Sequence, residues 1–247
     1  MSQGAVRYSC SSSDSGIGTR EAGLRSAKAS ECIRGIEGIE GIEGIDGMIE
    51  DMFGGVPQVD VDWYPHWLSP DEAAIALSAL LEEVQWKQDV IGTPGGIKPL
   101  PRLTAWQGDP EAIYIYSGIR NEPLPWTPTV QALRSLAETT CKTRFNSVLL
   151  NRYRSGEDSM GWHADREAEL GAEPTIASVS LGVSRRFDLR HNATGQLRAY
   201  ELTNGSLLVM RGRTQREWRH RIVKVPGLQG ERINLTFRFV TPRTAAR

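Results

Sequence analysis

The run Arg232-Ile-Asn-Leu-Thr-Phe-Arg-Phe-Val240 constrains the fold more than any other stretch of the chain. Extended backbone sends successive side chains to opposite faces, so Ile233, Leu235, Phe237 and Phe239 share one face. Arg232, Asn234, Thr236 and Arg238 share the other. A face of β-branched and aromatic residues is expected to be buried. The polar face then meets water in an open sheet, or a lumen in a barrel or sandwich. An edge strand with solvated arginines satisfies the first geometry. In the second, two enclosed guanidiniums are costly unless an anion meets them. Their planar forks suit carboxylates, which points to a pocket for an acidic small molecule.

A second constellation lies upstream, in Asn146-Ser-Val-Leu-Leu-Asn151-Arg-Tyr153 and the Gly161-Trp-His163-Ala-Asp165 that follows. On extended backbone His163 and Asp165 project to the same side. His220 follows in Trp218-Arg-His220, just before the arginine strand. Two imidazoles and one carboxylate form the facial triad that leaves coordination positions open on non-haem Fe(II). A lone His-x-Asp is common, and His220 stands amid arginines from Arg211 to Arg221, as an ordinary surface histidine would. The order His-x-Asp, then His, then a strand with two arginines selects the metal reading.

At these residues the chain resembles the AlkB family of Fe(II)/2-oxoglutarate-dependent nucleic-acid dealkylases. The resemblance runs from about Trp63 to Val240, and its blocks are Leu150-Asn-Arg-Tyr153, His163-Ala-Asp165, Ile176-Ala-Ser-Val-Ser-Leu-Gly182, Gly205-Ser-Leu-Leu-Val-Met210, His220 and Arg232 to Arg238. Tyr114-Ile-Tyr-Ser-Gly118 and Arg185-Arg-Phe-Asp-Leu-Arg-His191 look closest to the members that repair double-stranded DNA. The resemblance implies an α+β fold, with a double-stranded β-helix (jelly-roll) core and supporting N-terminal helices.

Elsewhere the chain bounds the answer. Residues 1–51 are rich in Ser and Gly and end near the repeat Gly35-Ile-Glu-Gly-Ile-Glu-Gly-Ile-Glu-Gly-Ile-Asp-Gly47. Glycine at every third position costs a helix roughly 1 kcal/mol each, and the isoleucines are too few for a core. This segment reads as a disordered low-complexity tail, and 52–247 as the dioxygenase domain, with a nucleotide-recognition lid over about 85–120. Ser69-Pro-Asp-Glu72 reads as a helix start, with Ile75, Leu77, Leu80, Leu81 and Val84 on its apolar face. Gly92 to Pro101 reads as a long loop. Thr127 to Thr143 reads as a second helix, with Val130, Leu133, Leu136 and Ala137 inward. Short strands are expected at 146–153, 176–182, 185–191, 197–202, 206–210, 219–223 and 232–240. Cys10, Cys32 and Cys141 form no pair of zinc-site spacing, and no apolar run reaches membrane length. A monomeric, unsecreted protein follows as the expectation, cytoplasmic in a bacterium or nuclear in a eukaryote. From Ser184 onward 14 Lys and Arg face 4 Asp and Glu, although the net charge is −1. That asymmetry favours a polyanionic partner.

The resemblance also implies a chemistry. Fe(II), 2-oxoglutarate and O2 would oxidise the alkyl carbon of N-alkylated bases, of the 1-methyladenine and 3-methylcytosine type, in DNA or RNA. The aldehyde and the repaired base would follow. His163, Asp165 and His220 match the family's metal ligands. Asn151, Tyr153, Arg232, Asn234 and Arg238 match its cosubstrate residues, with Arg232 expected at the far carboxylate. Tyr116, in its block with Tyr114, matches the position that stacks on a flipped base, and Trp106 is the rival for that role. Glu167 matches an acidic position near the exocyclic amine. Val90-Ile91-Gly92 stands where duplex-acting members insert an apolar wedge, and Ile91 is smaller than the aromatic usual there. Arg190 and His191 are expected at phosphates on charge and position alone. A catalytically silent jelly-roll that binds nucleic acid is the alternative of a different class.

Overall fold

A computed structural model describes residues 57–241 apart from 94, 117 and 118, with side chains undescribed at 93, 114–116 and 119–121. The tail expected over 1–51 lies outside the described residues. In chain order the elements begin with β1 (Val61–Tyr64), α1 (Pro70–Glu83), β2 (Val90–Thr93), β3 (Gly96–Pro99), β4 (Leu103–Gly108), β5 (Tyr114–Tyr116), β6 (Ile119–Asn121) and α2 (Pro128–Cys141). They continue with β7 (Ser147–Tyr153), β8 (Met160–His163), β9 (Ile176–Gly182), β10 (Arg185–His191), β11 (Leu197–Leu202), β12 (Ser206–Met210), the one-turn α3 (Thr214–Glu217), β13 (Trp218–Ile222) and β14 (Arg232–Arg238).

The alternation in β14 resolves in favour of the lumen, because both faces of that strand are buried. The major sheet runs β1-β12-β9-β14-β7-β4 and the minor sheet β11-β10-β13-β8, and neighbouring strands in both are antiparallel. Ile233, Leu235 and Phe237 join Val148, Leu150, Val179 and Leu207 under α1 and α2 in one core. Each such side chain contributes roughly 1.5–3 kcal/mol by leaving water. A second core contains Tyr153, Ile176, Leu208 and Met210 of the major sheet and Phe187, Leu189, Trp218 and Ile222 of the minor sheet. The order of layers is therefore helices, major sheet, minor sheet. Two antiparallel sheets face to face make the jelly-roll core that the sequence implied, backed by helices as an α+β arrangement. No helix among the described residues is long and apolar enough to cross a membrane.

Several sequence expectations need correction. Phe239 is 49% exposed, because the strand ends at Arg238. Val240 turns inward instead, its amide donating to Oδ1 of Asn146. In α1 the capping box is present, with Ser69 Oγ accepting from the Glu72 amide and Glu72 accepting from the Ser69 amide. Of the expected apolar face, Leu80 and Val84 are buried and Leu77 and Leu81 pack against the core, but Ile75 is 70% exposed. Ala73 and Ala76 are buried beside Leu80 instead, and such small side chains let the helix approach closely. Leu136 of α2 is likewise exposed. The segment read as a loop is the hairpin β2–β3, in which Val90 pairs with Pro99 and Ile91 with Lys98. Gly96, at φ +100°, takes a conformation open to glycine and strained for other residues, so the glycine signal marks a turn. β1, β4, β5, β6 and β8 were likewise not expected from the sequence.

Candidate metal and cosubstrate site

The inner face of the sandwich turns polar at one end. Across the minor sheet His220 of β13 is the partner of His163 of β8, whereas Ile222 is the partner of Met160. Two steps along β13 thus match three along β8. In a regular ladder Met160 and His163 would point to opposite faces. The irregularity lets both line the inter-sheet cavity. The imidazoles meet edge to face with ring centroids 4.2 Å apart.

Asp165 follows on the loop after β8. Its amide donates to Oε1 of Gln215 at 2.9 Å, and Arg166 donates to the carbonyls of Gln215 and Arg216. These bonds pin the loop to α3. One donor atom from each of His163, Asp165 and His220 then lies within 4.8 Å of the others.

Electrostatics prepare the three groups as ligands. Burial drives both imidazoles down, His220 to about 3, with His163 opposing its charge. Both are neutral at pH 7 and keep a lone pair. Burial would raise the Asp165 carboxyl, but Arg238, His220 and His163 outweigh it and hold the carboxyl below its usual range. His163 Nδ1 is 2.9 Å from the Gly161 carbonyl. When Nδ1 carries the proton and donates, Nε2 is the ligand atom. His220 Nδ1 is fully buried with no hydrogen-bond partner. Two neutral imidazoles and one ionised carboxylate fit a divalent iron.

The cosubstrate candidates lie on adjacent strands in register. Arg232 is opposite Tyr153, and Asn234 is opposite Asn151. Arg232 is 0% exposed. Its Nη2 donates to Ser180 Oγ at 2.8 Å and to Asn234 Oδ1 at 2.5 Å, and its Cζ stands 5.1 Å from the Tyr153 ring centre. Nε and Nη1 are buried without a partner. Burial lowers this guanidinium to about 10, leaving it cationic at pH 7. A buried cation with two unsatisfied N–H groups calls for an anion, and a carboxylate supplies the matching pair of acceptors. At the other end of the strand Arg238 Nη2 donates to Asp165 Oδ2 at 2.7 Å.

A second, outer cavity shares Leu149, Asn151, Met160, His163, Asp165 and Arg238 with the inner one. Trp106 and Glu167 line it, as do Lys87, Asp89, Arg102 and Thr104. Trp106 is buried, its Nε1 donating to the Ala112 carbonyl at 3.3 Å. Tyr114 and Tyr116 sit on β5, their side chains outside the described set. Ile91 is 41% exposed on the hairpin, and Arg190 is exposed on β10; neither lines the two cavities. His191 accepts or donates at Thr194 Oγ1, 3.0 Å away, and packs on Trp218.

Sequence reasoning missed Ser178 and Ser180, whose hydroxyls, with that of Thr236 from the polar face of β14, complete the polar lattice around Asn234 and Arg232. The serines alternate in the apolar run Ile176 to Gly182, a polar stripe that could have been read. Also missed were Gln215 and the buried pair Arg102 and Arg185. Arg185 donates to the carbonyls of Ser155, Asp158 and Val223. No local pattern marks these residues.

The 2OG-Fe(II) oxygenase superfamily model matches residues 60–238. An "Alpha-ketoglutarate-dependent dioxygenase alkB homolog 3" of Mus musculus is 41% identical over 189 residues, covering 72% of this chain and 65% of that protein. Its Homo sapiens counterpart is 40% identical with the same coverage, 72% and 65%. The "DNA oxidative demethylase ALKBH2" of Bos taurus is 36% identical over 153 residues, covering 59% of this chain and 55% of that protein. The chain thus spans 65% of the length of the mouse and human relatives. Among solved structures, OsALKBH1 superposes with a TM-score of 0.55 at 16% identity, covering 74% of this chain and 98% of that one. A 2OG-Fe(II) family oxidoreductase of Burkholderia pseudomallei does so at 0.52 and 14%, covering 84% and 98%. At those identities the likeness is one of fold.

Proposed function

We propose that this chain, which belongs to the 2OG-Fe(II) oxygenase superfamily, removes N-alkyl groups from adenine and cytosine in DNA by oxidising the alkyl carbon at the expense of 2-oxoglutarate. The observation that carries the reading is the enclosed Arg232, with two unsatisfied N–H groups on the same strand face as Arg238, the partner of Asp165. The name of the mouse relative supports the 2-oxoglutarate dioxygenase reading, and that of the bovine DNA oxidative demethylase supports DNA as the substrate.

In this reading His163, Asp165 and His220 hold Fe(II). Arg232 grips the far carboxylate of 2-oxoglutarate, and Asn151, Tyr153, Asn234 and Arg238 orient the rest. Bound iron supplies activation of O2, with 2-oxoglutarate as co-reductant, ending as succinate and carbon dioxide. The protein's own part is to position the groups and exclude water. Neutral imidazoles keep their lone pairs, and Arg238 keeps Asp165 ionised.

A base must leave its stack to reach such a site. Trp106 and Glu167 wall the outer cavity through which it would enter, and Tyr116 with Tyr114 stands on β5 to stack on it. Ile91 on the exposed hairpin is the wedge into the vacated stack. Arg190 holds a phosphate.

The test is to incubate the protein with Fe(II), 2-oxoglutarate and DNA or RNA oligonucleotides carrying 1-methyladenine or 3-methylcytosine, then weigh the strands. A lighter DNA strand with matching succinate is expected. Succinate without a lighter strand sinks dealkylation and spares the oxygenase. A lighter RNA strand alone moves the substrate to RNA.

A further inference from the structure

Arg102 lies between Pro101 and β4 and is 9% exposed. Its Nε donates to Oδ1 of Asn151 at 2.8 Å, and its Nη1 to the Ser159 carbonyl at 3.3 Å. Asn151 is opposite Thr104 of β4 on one side and Asn234 of β14 on the other, and it lines both cavities. It is the polar joint between the two chambers.

A carboxamide is an acceptor on one side and a donor on the other. Rotated half a turn, it fills the same space and presents the opposite polarity. Donation from Arg102 commits Oδ1 to the outer wall, so Nδ2 is the group Asn151 offers elsewhere. A carboxylate or keto oxygen in the inner cavity needs that donor and would be repelled by Oδ1. Arg102 has no acceptor atom, so it cannot stabilise the rotated amide. The same guanidinium also forms part of the outer wall.

We propose that Arg102 is a positioning residue that locks the Asn151 amide with its donor toward the inner cavity and thereby sets the affinity for 2-oxoglutarate. This rests on the cosubstrate reading above. The rival role is direct contact of Arg102 with the nucleic acid in the outer cavity.

The test is a double-mutant cycle on the full chain loaded with Mn(II), which needs no turnover. Calorimetry reads 2-oxoglutarate affinity and fluorescence anisotropy reads oligonucleotide affinity in wild type, Arg102→Met, Asn151→Ala and the double variant. Arg102→Met should weaken 2-oxoglutarate about ten-fold, the scale of one hydrogen bond. It should do almost nothing further in the Asn151→Ala background, where no amide remains to orient. Oligonucleotide affinity should stay level. Equal losses in both backgrounds, or loss of the oligonucleotide alone, overturns the proposal. Should Arg102→Met fail to fold by thermal melting, Asn151→Asp decides. It keeps the acceptor for Arg102 and removes the donor, so undiminished 2-oxoglutarate binding would refute the role. Wild type that binds no 2-oxoglutarate refutes the functional reading first, and is thereby distinguished from a failure of Arg102 alone.

Discussion

Arg238 donates through Nη2 to Oδ2 of Asp165 at 2.7 Å, with side chains 5% and 6% exposed, so the last strand of the major sheet holds the carboxylate of the metal triad. The pair is screened little by solvent, and Arg238 helps hold the Asp165 carboxyl below its usual range.

Breaking that pair should therefore be expensive. Arg238→Met leaves an enclosed carboxylate without its cation, and stability should fall by about 3–5 kcal/mol. Urea unfolding of the metal-free protein measures it. Arg238→Lys keeps a cation in reach and should lose much less. Equal losses for both variants would show that the strand needs the guanidinium's shape rather than its charge.

The triad sets a second expectation. His163→Ala, Asp165→Ala and His220→Ala should each abolish succinate production, since two remaining ligands hold Fe(II) poorly. His191→Ala should stay active, because its ring faces Thr194 and Trp218. An active His220→Ala beside a dead His191→Ala would overturn the ligand assignment.

Arg232→Lys separates fork from charge. Lysine cannot present the two parallel N–H groups that meet a carboxylate, so 2-oxoglutarate affinity should drop on the order of ten- to a hundred-fold. Oligonucleotide affinity should barely move. Normal 2-oxoglutarate binding with loss of DNA would hand that strand face to the nucleic acid.

Outside the pocket, Arg190 and Arg219 are direct cross-strand partners, both exposed. In the neighbouring row Asp188 takes up Arg186 and Arg221. No such acid is paired with Arg190 or Arg219 among the described residues. Like charges set opposite one another are unfavourable unless an anion joins them. Arg190→Ala and Arg219→Ala should each reduce the salt slope of oligonucleotide binding by roughly one unit, leaving 2-oxoglutarate affinity alone. A slope unchanged in both variants would place the phosphates elsewhere.

Cys141 offers a pH test away from the site. Burial pushes its thiol up to about 11, against a smaller opposing pull from Arg211. A folded value above the unfolded one means the stabilisation is whole below the unfolded value. It fades as pH climbs toward the folded value. Peptide-mapped alkylation at neutral pH should find Cys141 protected in the native protein and reactive in urea. Cys141→Ala should flatten the loss of stability between about pH 9 and pH 11. Rapid native alkylation would contradict its enclosure.

What the sequence determined by itself was whatever repeats at short range. Period-two alternation marked β14, while its polar stripe of Arg232, Asn234 and Arg238 left an edge strand and a lumen both open until the burial of both faces decided it. The spacing of His163, Asp165 and His220 announced a metal, and Ser69 with Glu72 announced a helix start. The tertiary structure alone decided what depends on register between distant segments. The mismatch of β8 against β13 turns His163 inward beside His220, and no property of either strand alone encodes it. Arg102 reaches Asn151 across 49 residues of chain, and Gln215 pins Asp165 across 50, through hydrogen bonds that leave no local pattern. Helix faces misled where Ile75 outweighed Ala73 and Ala76, since periodicity counts hydrophobic bulk while packing selects the residues small enough to let two layers touch.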